Sequence, residues 1–150
     1  MKKSLLLLFI SILAPFFALA QGKVYNNNDK LIYKYDGKKL YLEDKESGNW
    51  KATMRYDNGK IYQLNSKGEE VLMMTFNGRE IFNESDTEEP IAIFDGTYAY
   101  FGSKVDPNAI IGVMKDGYYY RGKTVDPKKL LFHVEGYIPI AMLLFLNMAR

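Results

Sequence analysis

The residues that most often carry catalytic chemistry are scarce in this chain of 150 residues. It contains no cysteine and one histidine, His133, which excludes cysteine nucleophiles and the histidine and cysteine clusters that bind transition metals. It has no Gly-x-Ser-x-Gly elbow, no Gly-rich phosphate loop before a helix and no calcium loop of the Asp-x-Asp-x-Asp-Gly kind. Its 18 acidic residues could pair in space as in a glycosidase, but a sequence cannot show such pairing. We therefore predict a protein that is not an enzyme and that has no cofactor and no metal site.

The orientation of His133 follows from its neighbours, Phe132 and Val134. Alternate residues of a strand point to opposite faces. If the two apolar neighbours face a core, His133 points to solvent, and the simplest interpretation is a surface histidine.

Aromatic residues are the better candidates for binding, because a tyrosine ring can pack against a partner while its hydroxyl hydrogen-bonds. The run Tyr118-Tyr119-Tyr120 stands out. By strand alternation its outer members share one face and Tyr119 takes the other, so we predict that Tyr119 is exposed and available for binding. The residues predicted to lie in the core are Tyr98, Tyr100, Tyr118 and Tyr120.

Trp50 is the second candidate binding residue. It follows the polar segment Ser47-Gly48-Asn49, which suggests a surface aromatic side chain. An equally good interpretation is that Trp50 caps one end of the core.

These tyrosines belong to an internal repeat. The segment from Tyr98 to Pro107 is followed twenty positions later by a similar one from Tyr118 to Pro127, and both end in Val-Asp-Pro. A glycine after an acid or an amide recurs along the chain at intervals of 18 to 22 residues. The structural turns predicted from this spacing lie at Gly37, Gly59, Gly78, Gly96, Gly117 and Gly136.

Alternating apolar residues flank most of these glycines, as Tyr33 and Tyr35 do before Gly37. Period-two alternation is typical of strands with one buried face, and Asn-Gly and Asp-Gly accept the positive φ of tight hairpin turns. One hairpin cannot bury its apolar face alone, so the units must close around a shared core or stack into an array. We predict an all-β fold of tandem hairpin repeats, closed radially.

The first twenty residues resemble an export signal. Lys2 and Lys3 precede an apolar stretch, and Ala18-Leu19-Ala20 is a small-x-small cleavage site. We predict cleavage before Gln21, export through the Sec route to the periplasm or the medium, and one domain over residues 21–150. The alternative is an uncleaved membrane anchor, since the stretch is close to the length that spans a bilayer.

The C-terminal segment from Ile138 to Leu146 is almost entirely apolar, apart from the helix-limiting Pro139. We predict that it packs into the core as a final strand or a short helix. The alternative is an exposed contact with a membrane or a partner, because apolar surface left in water must be covered.

Charge narrows the class of partner. Without Lys2 and Lys3, 18 basic residues balance 18 acidic ones, and a neutral chain argues against nucleic acid. One cluster, from Glu80 to Asp95, holds six acids and no base, which is typical of a solvated loop.

These features together resemble the five-fold β-flower family of small secreted bacterial proteins. The resemblance rests on the signal ending in Ala18-Leu19-Ala20-Gln21, on units such as Asn58-Gly59-Lys60-Ile61-Tyr62, and on Gly136-Tyr137-Ile138-Pro139 before the apolar run. It implies hairpins arranged like petals around an apolar centre, and it implies no activity and no functional residues. The chain departs from the family in having six glycine turns rather than five, so that one turn could be an entry or closing element.

The function predicted at this point is that of an exported, non-catalytic protein that binds or assembles through its surface. Its partner would be a protein, a glycan or a second copy of itself. One alternative is a carrier with an apolar cavity of about 300 Å³ or more. A hydrolase, in which His133 or paired carboxylates converge in a cleft, is the third candidate.

Overall fold

A computed structural model describes residues 21–84 and 88–148 of the chain. The predicted signal peptide at residues 1–20 and Asp86 of the acidic cluster lie outside the described residues. The described part forms twelve strands, a short 3-10 helix at Pro127–Lys129 and one α-helix, α1, at Ile140–Met148. The strands are β1 (Gly22–Asn26), β2 (Leu31–Tyr35), β3 (Lys39–Glu43), β4 (Trp50–Asp57), β5 (Lys60–Leu64), β6 (Glu70–Phe76), β7 (Glu80–Asn83), β8 (Ala92–Phe94), β9 (Tyr98–Phe101), β10 (Ile110–Lys115), β11 (Tyr118–Arg121) and β12 (Leu130–Gly136).

The strands form a closed antiparallel ring in which each strand pairs with its neighbours in the chain. The ring is closed by β1 and β12, which pair with Val24 opposite Val134 and Tyr25 opposite His133. Every strand therefore has a partner on both sides, and the sheet has no free edge. The all-β, radially closed architecture predicted from the repeats is confirmed.

Five of the predicted turn glycines lie in the tips of the five hairpins β2–β3 to β10–β11, and all five have positive φ, between 82° and 104°. Gly136 also has a positive φ of 75° but connects β12 to the segment before α1. The sixth strand pair, β12 with β1, is held at this end by the bond from the Tyr137 amide to the Gln21 carbonyl (3.0 Å). A Cβ on Gly136 would overlap that same carbonyl, so glycine is required there.

Helix α1 fills the inside of the ring. It begins directly after Pro139, and Ala141, Met142, Leu143 and Leu144 are buried. The strands turn apolar side chains toward it, among them Leu40, Ile61 and Phe132. The prediction that the apolar C-terminal segment packs into the core is confirmed. Among the described residues, no helix is long and apolar enough to cross a membrane.

The prediction that Tyr119 is exposed is wrong. Tyr119 is fully buried inside the ring, where it stacks on Phe132 with a ring-centroid distance of 5.0 Å. Its hydroxyl lies over Gly112, where any Cβ would overlap it, and accepts a hydrogen bond from Asn147 Nδ2 of α1 (3.1 Å). Gly112 and Ala99, which pair on the neighbouring strands, are small and leave room for the Tyr119 ring beside the helix. Tyr119 does lie on the face opposite to Tyr118 and Tyr120, as predicted, but that face is the inner one.

Candidate functional site

Aromatic side chains form a strip in two parts on the outer face of β9, β11, β12 and β1, which we call the aromatic wall. The tyrosines of β9 are separated by β10 from the rings on β11, β12 and β1. Tyr118 is 41% exposed, contrary to its predicted core position, and its ring lies 6.5 Å from that of Tyr120. The rings of Tyr98 and Tyr100 lie 6.3 Å apart. The members of the aromatic wall are Tyr98, Tyr100, Tyr118, Tyr120, His133 and Tyr25.

His133 lies inside this strip. Its ring stacks on Tyr25 at 4.9 Å with the planes 10° apart, and Tyr118 covers the other side at 5.2 Å. It points away from the core, as predicted, but its side chain is only 14% exposed. Its Nδ1 is buried without a hydrogen-bond partner, 3.8 Å from a carboxylate oxygen of Asp29.

One member of the aromatic wall, Tyr100, is itself buried, together with apolar residues of β8 and β10. Ile93, Tyr100 and Val113 are buried on the outer face, separate from the core around α1. Ile93 pairs with Tyr100, and Val113 pairs with Tyr98 on one side and Tyr120 on the other. This side of the ring therefore has apolar packing on both faces of the sheet.

Carboxylates fix two hydroxyls of the wall. Tyr25 donates to Glu135 (3.0 Å) and Tyr100 donates to Asp95 (2.8 Å), and these bonds raise the pKa of both tyrosines. Burial acts to raise the pKa of Asp95, but hydrogen bonds from the amides of Tyr98 and Thr97 and from the Tyr100 hydroxyl outweigh it, so the pKa is lowered. The rings are thus held in place by their edges as well as by stacking.

The outer face of β4 to β6, with the neighbouring part of β2, has a different character, and we call it the ion-pair wall. Arg55 makes two bonds to Glu70, at 2.7 and 2.8 Å, and one to Asp57 at 2.9 Å. Its guanidinium also lies 4.2 Å from the ring centroid of Tyr62. These bonds raise the pKa of Arg55 and lower that of Glu70.

Trp50 belongs to the ion-pair wall. It is half-buried at the start of β4, and the Lys34 ammonium covers its ring at 4.0 Å. It is not among the residues of the core cluster. Trp50 and Tyr119, the two binding residues predicted from the sequence, are therefore not brought together.

A second candidate site is a groove at the end of the ring where α1 terminates. Its volume is about 660 Å³, and it lies between the helix and the strands β6, β9 and β10. The sheet is short on this side of the ring because β7 and β8 have only four and three residues. The residues that line the groove are Met74, Glu89, Pro90, Ile91, Phe101, Gly102, Ser103, Ile111, Asn147 and Met148.

Sequence reasoning missed both the aromatic wall and the groove. The repeat marks which tyrosines share a face, but it does not show that the face with Tyr118 and Tyr120 is the outer one. No comparable signal marked the groove, which is formed by residues far apart in the chain. Among the described residues, no three histidine, aspartate or glutamate side chains come together in a way that could hold a metal ion.

The architecture defines a class: six antiparallel strand pairs arranged radially around a central helix. A family model described as "6-fold beta flower protein" matches residues 15–143, and the chain belongs to this family. Comparisons with curated proteins and with solved structures give no match. The resemblance to β-flower proteins is confirmed, with six-fold rather than five-fold symmetry, because β12 and β1 supply the sixth pair.

Proposed function

We propose that the protein is an exported, non-catalytic binding module that contacts another protein through the aromatic wall. The observation that supports this most strongly is the group of aromatic rings of β11, β12 and β1 that pack against one another on the outer face of a ring filled by a helix. Tyrosine is enriched at binding hot spots, where aromatic side chains anchor a partner.

The rigidity of the strip favours binding. A side chain that loses freedom on association reduces affinity by about 0.5–1.5 kcal/mol. The hydroxyls of Tyr25 and Tyr100 are already held by Glu135 and Asp95, and both faces of His133 are covered. A partner would therefore meet an ordered surface.

The ring orientation favours a protein over a glycan. A sugar ring stacks on an aromatic face that is open to solvent. In the aromatic wall His133 lies between the rings of Tyr25 and Tyr118, so the faces that these rings turn toward one another are closed to a sugar, although Tyr118 is 41% exposed. Edges and hydroxyls suit the mixed apolar and polar contacts of a protein interface.

The position of His133 supports a non-catalytic role. A general base must reach the proton that it removes, directly or through one water. The Nδ1 of His133 is sealed by two tyrosine rings, and the carboxylate nearest to it lies 3.8 Å away. Activating a nucleophile through this atom would require the wall to open.

Site-directed photocrosslinking tests the proposal in the cells that export the protein. Tyr118 and Leu42 are equally exposed, at 41%, but Leu42 lies on β3, away from the aromatic wall. We expect a crosslinker at position 118 to give one discrete protein adduct that position 42 lacks, and Tyr120→Ala to reduce that adduct. The same adducts at both positions, or none at position 118, would contradict the proposal.

Export is tested separately. We expect the mature chain to begin at Gln21 and to appear in the periplasmic fraction or the medium, as N-terminal sequencing of each fraction would show. A full-length chain retained in the membrane fraction would favour the uncleaved anchor.

A further inference from the structure

We propose that the groove at the end of α1 binds a small amphiphile with an apolar body and a primary ammonium head. This site is distinct from the aromatic wall, and the proposal does not depend on the proposed protein partner.

The size and lining of the groove suit a small ligand. Ligand pockets of about 300–1,000 Å³ with mostly apolar walls and a few polar groups are typical of proteins, and this groove measures about 660 Å³. Its apolar lining comes from four different parts of the fold, namely β6, the segment before β8, β9–β10 and the end of α1. Two of the lining residues are methionines, Met74 and Met148, whose flexible side chains adapt to ligands of varied shape.

The polar lining groups select a hydrogen-bond donor. Glu89 is the one charged residue among the described residues that line the groove, and it is exposed. Asn147 donates its Nδ2 to the Tyr119 hydroxyl, which leaves its carbonyl oxygen as an acceptor. The Ser103 hydroxyl can also accept. A carboxylate with two further acceptors complements an ammonium group, which has three donors.

Phe101 adds a second element of cation recognition. It belongs to the groove lining, yet it is 64% exposed, the highest value among the large apolar side chains of the described residues. A cation near an aromatic face gains electrostatic attraction from the ring. An apolar body against Ile91 and Ile111, with the head between Glu89 and Phe101, would cover this exposed surface.

The experiment measures binding of four dodecyl amphiphiles to the mature chain, below their micelle concentrations, by titration calorimetry. The probes are dodecylamine, dodecyltrimethylammonium, dodecyl sulfate and dodecyl maltoside. We expect dodecylamine to bind at one molecule per chain and more tightly than the other three. Equal binding of all four, or more than one weak site, would mean indiscriminate adsorption and would overturn the proposal.

Variants locate the site. Glu89→Gln should weaken dodecylamine binding by about tenfold or more, because a charge-assisted hydrogen bond is lost. The affinity for dodecyl maltoside should stay unchanged. Glu46→Gln is the matched control, since Glu46 is an exposed acid in the β3–β4 loop at the same end of the ring. If the two substitutions have the same effect, Glu89 does not hold the head group and the proposal fails.

Ile111→Trp should fill the groove and abolish binding of dodecylamine, with an unchanged thermal unfolding midpoint as the check on folding. If this variant does not fold, Phe101→Ala is the substitute, because its exposed side chain contributes little to the core. It should weaken dodecylamine binding and leave stability unchanged.

Preference for dodecyl sulfate that is lost in Arg121→Gln would place the ligand in the adjoining depression lined by Ile110 and Arg121, and would overturn the proposal.

Discussion

The two sides of the ring present the same strand architecture to solvent but stabilise their outer faces in different ways. The ion-pair wall relies on Arg55, Glu70 and the cation that covers Trp50. The aromatic wall relies on packed rings and on the burial of Tyr100 with Ile93 and Val113. Attraction between charges at a surface is screened by salt, whereas aromatic packing persists in salt. The comparison shows that one repeat can support an outer surface held by charges on one side and an outer surface held by aromatic packing on the other.

The largest difference in stability between the two sides should appear when one tyrosine is replaced on each side. The tyrosine on the aromatic side is fully buried, and the one on the ion-pair side is half-buried. Tyr119→Ala leaves a cavity under the aromatic wall and should lower the free energy of unfolding by about 3–5 kcal/mol. Tyr62→Ala removes a half-buried ring from the ion-pair wall and should cost about 1 kcal/mol. Urea unfolding monitored by circular dichroism measures both. Equal losses would mean that the interior position of Tyr119 does not support the aromatic side.

Alkaline pH should be the next largest perturbation. Burial raises the pKa of Tyr119 to about 12, from an ordinary value near 10. A raised pKa means that folding favours the neutral hydroxyl, so this stabilisation is complete below pH 10 and is lost as the pH rises toward 12. The loss should reach about 2–3 kcal/mol.

Tyr119→Phe provides the control for this pH dependence, since it cannot ionise. Its free energy of unfolding should fall less between pH 10 and 12 than that of the parent chain. Some dependence should remain, because burial also raises the pKa of Tyr35 to about 12. Identical pH profiles would show that Tyr119 does not ionise in this range.

A smaller effect is expected for Tyr118→Ala. It removes the ring contacts to His133 and Tyr120 and should cost about 1 kcal/mol, with the same value at low salt and in about 1 M sodium chloride. Thermal unfolding at the two salt concentrations measures it. A salt-dependent loss would mean that charge, rather than ring packing, holds this wall.

The smallest effect is expected for Glu70→Gln on the ion-pair wall. It removes the negative charge and replaces one of the two oxygens that accept from Arg55 with an amide NH2. The unfolding midpoint should fall slightly at low salt, with no difference from the parent chain in about 1 M sodium chloride. Thermal unfolding at low salt and in about 1 M sodium chloride measures this change in the unfolding midpoint. A loss that persists in high salt would show that the pair contributes through packing and would weaken the distinction between the walls.

Much of the fold could be predicted from the sequence because local chemistry determines it. Glycines at Gly37, Gly59, Gly78, Gly96 and Gly117 mark hairpins, since a turn requires positive φ within two or three residues. The apolar run after Pro139 needed to be shielded from water, and the centre of a closed ring of hairpins is the place where it could pack. These inferences needed no knowledge of distant contacts.

The candidate sites could not be predicted in the same way. Alternation divides Tyr119 from Tyr118 and Tyr120 but does not say which face is the inner one, because all three are apolar enough to be buried. That choice depends on the space left by α1 and on Gly112 opposite the hydroxyl. Similarly, the stacking of His133 requires Tyr25, which lies more than one hundred positions away and is brought opposite it by ring closure.

The pairing of the first strand with the last also determines when folding can finish. Tyr25 and Glu135 are 110 positions apart, and contacts of such long sequence separation form slowly because a large loop must close. Each hairpin can form as soon as its own residues are available, but β1 has no second partner until β12 is present. In a chain that emerges N-terminus first, β1 would therefore have one unpaired edge for longer than any other strand. Pulse-labelled hydrogen exchange during refolding should therefore show the amides shared by β1 and β12 protected last, and early protection there would mean that the ring closes before its hairpins are complete.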